Sequence, residues 1–200
     1  MIEIRNLCKN YGDRVIFNHL NLSFEENQIT SLMAPSGYGK TTLLRILAHL
    51  ENFEEGHIIG IEGKKMAYVF QEDRLLPWLT VRENIEYVLE SWSHKEAYAP
   101  KVDAILDYVQ LTSNQHQPVT TLSGGMKRRV ALGRALAYEA DVVLMDEPFK
   151  GLDERLKEAI IKWLLQIHKQ KPFTLICVTH DIEEAKALGK VIEIQKERDK

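Results

Sequence analysis

Apolar and polar positions alternate along residues 2–8, "IEIRNLC", and again along residues 21–26, "NLSFEE". A period of two marks half-exposed strands, so these stretches predict an antiparallel sheet at the start of the chain. "QITSLM" (28–33) then runs apolar as a buried strand does, and "KTTLLRILAHL" (40–50) follows with helical spacing. "HIIGI" (57–61) and "MAYVF" (66–70) read as two more short strands. After Gln71 the period changes. Val81, Ile85, Val88, Leu89 and Trp92 share one helical face of "VRENIEYVLESW", and Val102, Ile105, Leu106 and Val109 share one of "PKVDAILDYVQL". Pro100 suits the first turn of that second helix. The strand-free block 72–119 predicts a helical insert.

Strand and helix then alternate again. "SGGMKRRVALGRALAYE" (123–139) is predicted helical and "DVVLMDEP" (141–148) contains a buried strand. "DERLKEAIIKWLLQIHKQ" (153–170) predicts an amphipathic helix with Leu156, Ile160, Leu164 and Ile167 inward. "FTLICVT" is a further buried strand, followed by the helix "DIEEAKAL" and the strand "VIEIQ". Continuous apolar strands between helices predict a parallel sheet covered on both faces, an α/β core. One domain is expected, with 1–71 and 120–200 as core and antiparallel β subdomain and 72–119 as helical subdomain.

Composition narrows the partners. A chain of 200 residues with 44% hydrophobic content can bury a core. Its net charge of -3 argues against a basic nucleic-acid-binding face. Cys8 and Cys177 sit far apart in apolar segments without metal-ligand spacing, which predicts buried, reduced thiols. No apolar run approaches the ~20 residues of a membrane helix, and the charged, alternating N-terminus is no signal peptide. Any work at a membrane would go through a partner.

Three stretches carry chemistry. "SLMAPSGYGKTTLLRIL" (31–47) follows the phosphate-loop pattern G-x-x-x-x-G-K-[ST] at Gly39, Lys40 and Thr41, with Ala34 in place of the opening glycine. Such a loop holds polyphosphate with backbone N–H groups at a helix N-terminus, where the helix dipole adds attraction. Gly37 and Gly39 let the backbone come close. Lys40 would reach the β- and γ-phosphates, and Thr41 would complete a Mg²⁺ site. Ala34 precedes Pro35, and a pre-proline residue is biased to extended backbone that alanine adopts freely. The competing reading is a Gly-rich turn with an incidental lysine. Secondly, "VVLMDEP" delivers Asp146 and Glu147 to the carboxyl edge of a sheet, where ligands of α/β folds bind. Asp146 would hold Mg²⁺ through water and Glu147 would orient or deprotonate the attacking water. Thirdly, in "LSGGMKRR" (122–129) Ser123 is a good N-cap, and Gly124 and Gly125 expose N–H groups at a helix start. That stretch is either a second anion site or only a capped helix, and its Lys and Arg residues read equally as a solvated face.

Together, and in this order, these motifs resemble the ATP-binding cassette family, the ATPase subunits of ABC transporters. The resemblance covers nearly the whole chain and implies a P-loop NTPase (RecA-like) core. "KNYGDR" matches the adenine-stacking loop, which implies that Tyr11 packs on the base. "APSGYGKTT" matches the phosphate loop, Ser36 to Thr42, with Ala34 a departure and Tyr38 bulkier than usual. "VFQEDRLLPW" implies Gln71 as a Mg²⁺ and water contact that faces a transmembrane partner. "LSGGM" is similar to the family signature, with Met126 where glutamine is commoner; Ser123 and Gly125 would grip the γ-phosphate of ATP on the other subunit. "FKGLDE" implies Asp153 at the dimer interface, and "VTHD" implies His180 as the histidine on the γ-phosphate.

The family reading implies a homodimer closing head-to-tail over two ATP molecules and driving transmembrane permease subunits from the cytoplasmic face. A solute-binding protein would act indirectly. Within "EDRLLPWLTV" the apolar side chains are either docking surface or the insert's own core, with docking expected at Trp78. "FQEDRLLPWLTV" looks like importers for nitrate, sulfonates, taurine and related anions, or for thiamine-precursor pyrimidines. The end of the chain soon after the histidine motif implies no C-terminal regulatory domain. Two other readings stay open: a soluble ABC ATPase outside transport, and a nucleotide-binding module that hydrolyses weakly because of Ala34 and Tyr38.

Overall fold

Strand β1 (Ile2–Tyr11) and strand β2 (Arg14–Phe24) form an antiparallel hairpin, and β4 (Glu55–Ile59) pairs with the other edge of β1, giving the order β2-β1-β4. The alternation does not run unbroken. Ile2 and Ile4 point inward, but the next inward residue is Leu7. Asn6 (φ 49°) and, on the paired strand, His19 (φ 53°) take left-handed backbone where the register shifts. These bulges change the phase so that Leu7 and Phe17 join Ile2, Ile4 and Phe24 in the core. Cys8 is consequently half-buried rather than buried, whereas Cys177 is fully buried and burial pushes its thiol pKa well up.

The computed structural model describes residues 1–35, 37–89 and 95–194, with the side chains of Lys95 and Glu96 excepted. The chain divides into two compact units. The first comprises Met1–Met66, Asp141–Glu147 and Pro172–Lys200; the second comprises Ala67–Ala140 and Pro148–Lys171.

In the first unit, β3 (Ile29–Met33), β6 (Val142–Asp146), β7 (Thr174–Val178) and β8 (Lys190–Glu193) lie parallel in the order β6-β7-β3-β8. Every residue of β6 and β7 is buried, as expected of strands covered on both faces. The phosphate-loop helix α1 (Lys40–Leu47) and the short α6 (Ile182–Leu188) each pack on this sheet. Strand β5 (Met66–Val69) crosses from the first unit into the second.

The second unit is mostly helical. Helix α2 is short, Val81–Glu86, opened by a capping box in which Thr80 accepts from the Glu83 N–H and Glu83 accepts from the Thr80 N–H. The expected face up to Trp92 is therefore cut short: Val88 and Leu89 lie in a turn, and Trp92 lies outside the described residues. Helix α3 runs Lys95–Tyr108, so Pro100 sits inside it and not in its first turn. Proline in the interior removes one N–H bond of the helix. Its face of Val102, Ile105, Leu106 and Val109 is buried as the spacing predicted. Helix α4 (Gly124–Ala137) packs on α2 and α3. Helix α5 (Glu154–Gln170) buries Leu156, Ile160 and Leu164, while Ile167 is only half-buried near its C-terminal end. The second unit thus takes in α4 and α5 besides the block 72–119.

Candidate functional site

Strand β3 feeds the phosphate loop, and the loop ends where α1 begins. Gly39 is the N-cap of α1 with φ 77°, and a Cβ there would lie 2.4 Å from Ile16 Cγ2 and 2.8 Å from Phe17 Cζ. Only glycine fits on both counts. No side chain caps α1 and no acidic residue stands in its first turn, so the positive end of the helix is left for an external anion. Gly37 also takes left-handed backbone (φ 78°), whereas Ala34 is absent from the described residues that do. The loop has glycine where its backbone demands it.

Lys40 Nζ donates to the carbonyls of Ala34 at 2.6 Å and Pro35 at 3.1 Å. Position 34 therefore acts through its carbonyl, which alanine supplies as well as glycine does. Thr41 Oγ1 donates to Asp146 Oδ2 at 2.7 Å, joining the start of α1 to the end of β6. Asp146 is 2% exposed. Glu147 follows in left-handed backbone (φ 48°), unusual for a non-glycine residue, and its N–H donates to the Val178 carbonyl at 2.9 Å. His180 comes two residues after β7, and its Nδ1 lies 3.4 Å from Glu147 Oε1.

Of these residues, Lys40, Thr41, Asp146 and Glu147 border a cleft of about 320 Å³. Its walls are the loop and helix start from Gly37 to Thr42, the carboxylates Asp146 and Glu147, and the hairpin residues Tyr11, Arg14 and Ile16. The size lies at the small end of ligand clefts, ~300–1,000 Å³. Tyr11 is 44% exposed, with Lys9 Nζ 4.8 Å from its ring centroid. Lys9 itself is buried between Glu51 (3.1 Å) and Glu54 (3.4 Å). A hydroxyl beside one buried carboxylate is a hard-oxygen pair that suits Mg²⁺, which keeps waters and ligand oxygens as its other partners. Among the described residues no cluster of three or more His, Cys, Asp or Glu could bind a metal by itself.

The remaining sequence-predicted residues belong to the second unit. Ser123 is the N-cap of α4 and accepts from the Met126 N–H at 3.3 Å. Gly125 lies against the loop before α5, since a Cβ on it would sit 3.2 Å from the Gly151 carbonyl oxygen. Asp153 caps α5 and accepts from the Leu156 N–H at 3.0 Å. Gln71 is exposed on a bend. Ser36 lies outside the described residues.

The arginines of α4 are not the solvated face that their number allowed. Arg128 is 3% exposed and donates to the Phe70 carbonyl and to Asp73 Oδ1. Arg134 donates to the carbonyls of Asp73 and Arg74. Arg129 donates to those of Val109 and Gln110. Two of these side chains fasten the bend that bears Gln71 to the helix that Ser123 caps. Sequence reading missed this role, and it also missed Arg14 as a wall of the cleft. The signal for Arg14 lay in the hairpin, whose pairing sets it opposite Tyr11.

The family profile described as "ABC transporter" matches residues 17–150. The chain is 40% identical over 198 residues to the sulfate/thiosulfate import ATP-binding protein CysA of Escherichia coli (strain K12), covering 92% of this chain and 54% of that protein. The CysA protein of Yersinia pestis is 39% identical over the same span. The chain spans about half the length of these curated relatives. They are named for sulfate and thiosulfate, not for the nitrate, sulfonate, taurine or pyrimidine transport expected from "FQEDRLLPWLTV". The fold matches the dimeric structure of a post-hydrolysis state of the ATP-binding cassette MJ0796 bound to ADP and Pi, with TM-score 0.87 and 28% identity over 98% of this chain and 94% of that one. A second dimeric structure of MJ0796, described as a bacterial ABC transporter cassette, gives 0.85 at 28% identity, over 97% of this chain and 94% of that one. With a cassette fold of parallel-sheet core, antiparallel β subdomain and helices, and with the family profile matched across most of its length, this chain belongs to the ABC transporter family.

Proposed function

We propose that this chain binds and hydrolyses ATP as the energy-supplying subunit of a bacterial importer. The observation that carries the reading is the Thr41–Asp146 contact at 2.7 Å, with Glu147 next in sequence and in the wall of the same cleft. In this reading the phosphates rest on the loop amides and the start of α1, and Lys40 leaves its loop carbonyls to neutralise them. Thr41 and Asp146 would hold Mg²⁺, which when bound supplies charge neutralisation at the phosphate oxygens. Glu147 accepts a proton from the attacking water as its oxygen bonds the γ-phosphorus and the bond to ADP breaks. His180, beside Glu147, orients that water and the transferred group. Tyr11 would stack on the base, and Gln71 would serve the Mg²⁺ and water, the role that the family resemblance implies for it.

Ser123, Gly125 and Asp153 act in the second half of the mechanism, on ATP bound by another copy in a head-to-tail homodimer. The exposed start of α4 at Ser123 and Gly124 supports this assignment, alongside the local caps that Ser123 and Asp153 make on their own helices. Residues 72–119 serve as the helical subdomain, and Trp78, 76% exposed, docks on a membrane permease subunit. No helix among the described residues is long and apolar enough to cross a membrane. In this reading the permease partner holds the chain at the cytoplasmic face. A solute-binding protein hands solute to the permease. Sulfate-type oxyanions, imported by the relatives, are the first solutes to test.

The test is steady-state phosphate release by the purified chain, alone and after co-expression with candidate permease subunits. ATP-dependent release that rises on assembly supports the reading. Absence of release in both conditions would defeat it.

A further inference from the structure

We propose that Arg14 is a nucleotide-binding residue: the second cation of the cleft, placed by the β1–β2 hairpin to contact the polyphosphate. The inference rests on the ATP-binding reading and adds a contact to it. Tyr11 and Arg14 are cross-strand partners at the two ends of a turn made by Gly12 (φ 56°) and Asp13. One tight turn therefore fixes both residues that the hairpin contributes to the polar side of the cleft, an aromatic ring and a guanidinium.

Three observations point to an anion. First, Arg14 Nη2 donates to the Gly37 carbonyl at 3.3 Å, which holds the guanidinium against the phosphate loop. Second, that is its one hydrogen bond among the described residues, and it forms no ion pair there, although Asp146 and Glu147 border the same cleft. A guanidinium has five N–H donors in a planar fork suited to phosphate oxygens, so most of its capacity is uncommitted. Third, the charges of the cleft walls favour it. Asp146 and Glu147 offset Lys40 and leave the walls net negative without Arg14, which would oppose a polyanion. Arg14 brings the walls to neutrality before any metal arrives.

The competing role is a prop, in which Arg14 serves only to buttress Gly37. Binding of ATP, ADP, AMP and adenosine to the full chain, by calorimetry without Mg²⁺, separates the two. Arg14→Gln is expected to weaken ATP and ADP about 5- to 50-fold, the range for a charge-assisted phosphate contact, and adenosine less than twofold. Arg14→Lys should recover part of the loss, because charge returns without the fork. The salt dependence of ATP affinity should flatten in Arg14→Gln, and KM should rise with kcat within about twofold, as for a uniform binding contact. Equal losses for adenosine and ATP, or unchanged ATP affinity in Arg14→Gln, would overturn the proposal. Lys40→Ala tells the two failures apart. If Lys40→Ala loses ATP affinity and Arg14→Gln does not, only the Arg14 assignment falls. If the unaltered chain binds no ATP, both readings fall.

Discussion

His180 Nδ1 lies 3.4 Å from Glu147 Oε1, and the pairing of two parallel strands makes that contact. Asp146 stands opposite Val178 in the β6–β7 ladder, so the residues just past each strand end are forced together at one edge. Glu147→Gln should keep ATP binding and lose turnover by about 100- to 10,000-fold, the contribution of a positioned base. The ATP-loaded variant should accumulate as a dimer in size-exclusion chromatography. Turnover at the parental rate would remove Glu147 from the chemistry.

Ala34 uses its carbonyl to hold Lys40 at 2.6 Å, and nothing in its backbone calls for glycine. Ala34→Gly should therefore change ATPase turnover by less than about tenfold, or roughly 1.4 kcal/mol in the barrier. A hundredfold rise on restoring glycine would mean that alanine cripples the loop, and the weakly hydrolysing module would become the better reading.

Ser123 has a local duty as well as the one proposed across a dimer. Ser123→Arg forfeits its cap on the Met126 N–H, at a cost of about 1 kcal/mol in stability. Nucleotide binding to the monomer should survive, while cooperative hydrolysis should be abolished because the side chain blocks closure. A variant that melts slightly earlier yet hydrolyses cooperatively would leave Ser123 as a helix cap only.

Glu139, just past α4, ties the middle of α3 to the end of α5 through Lys101 and Lys171. Hydrogen bonds from Lys101, then Lys171, outweigh its partial burial and hold its pKa at about 2, against an ordinary 4.5. The unfolded chain takes up this proton near the ordinary value. The pairing therefore stabilises the fold fully above about pH 4.5, and its contribution fades as pH falls toward about 2. Half-exposed pairs are weak, so Glu139→Gln should lower Tm by about 1–3 °C at pH 7. The difference from the unaltered protein should shrink by pH 3. An equal difference at both pH values would show that packing, not charge, is at stake.

The sequence by itself determined the parallel core and the edge where Lys40, Thr41, Asp146 and Glu147 meet. Apolar runs such as "VVLM" and "LICV" must be buried on both faces, and helices must follow them, whatever their neighbours are. Gly39, Lys40 and Thr41 declare the loop because a glycine free to turn, a cation and a hydroxyl at consecutive positions are a local pattern. What depended on partners distant in sequence was not legible. Alternation in β1 gave no warning of the bulge at Asn6, which is set by pairing with β2. Helical periodicity carried α2 past Glu86, since a repeat of apolar residues does not say where packing ceases to hold a helix. The arginines of α4 could be read as part of an anion site or as a solvated face, and only the folded second unit decided that Arg128 and Arg134 cap the carbonyls beside Gln71. Arg14 became part of the cleft for the same reason. A side chain's sequence records its chemistry, but the groups that satisfy that chemistry are chosen by tertiary contacts.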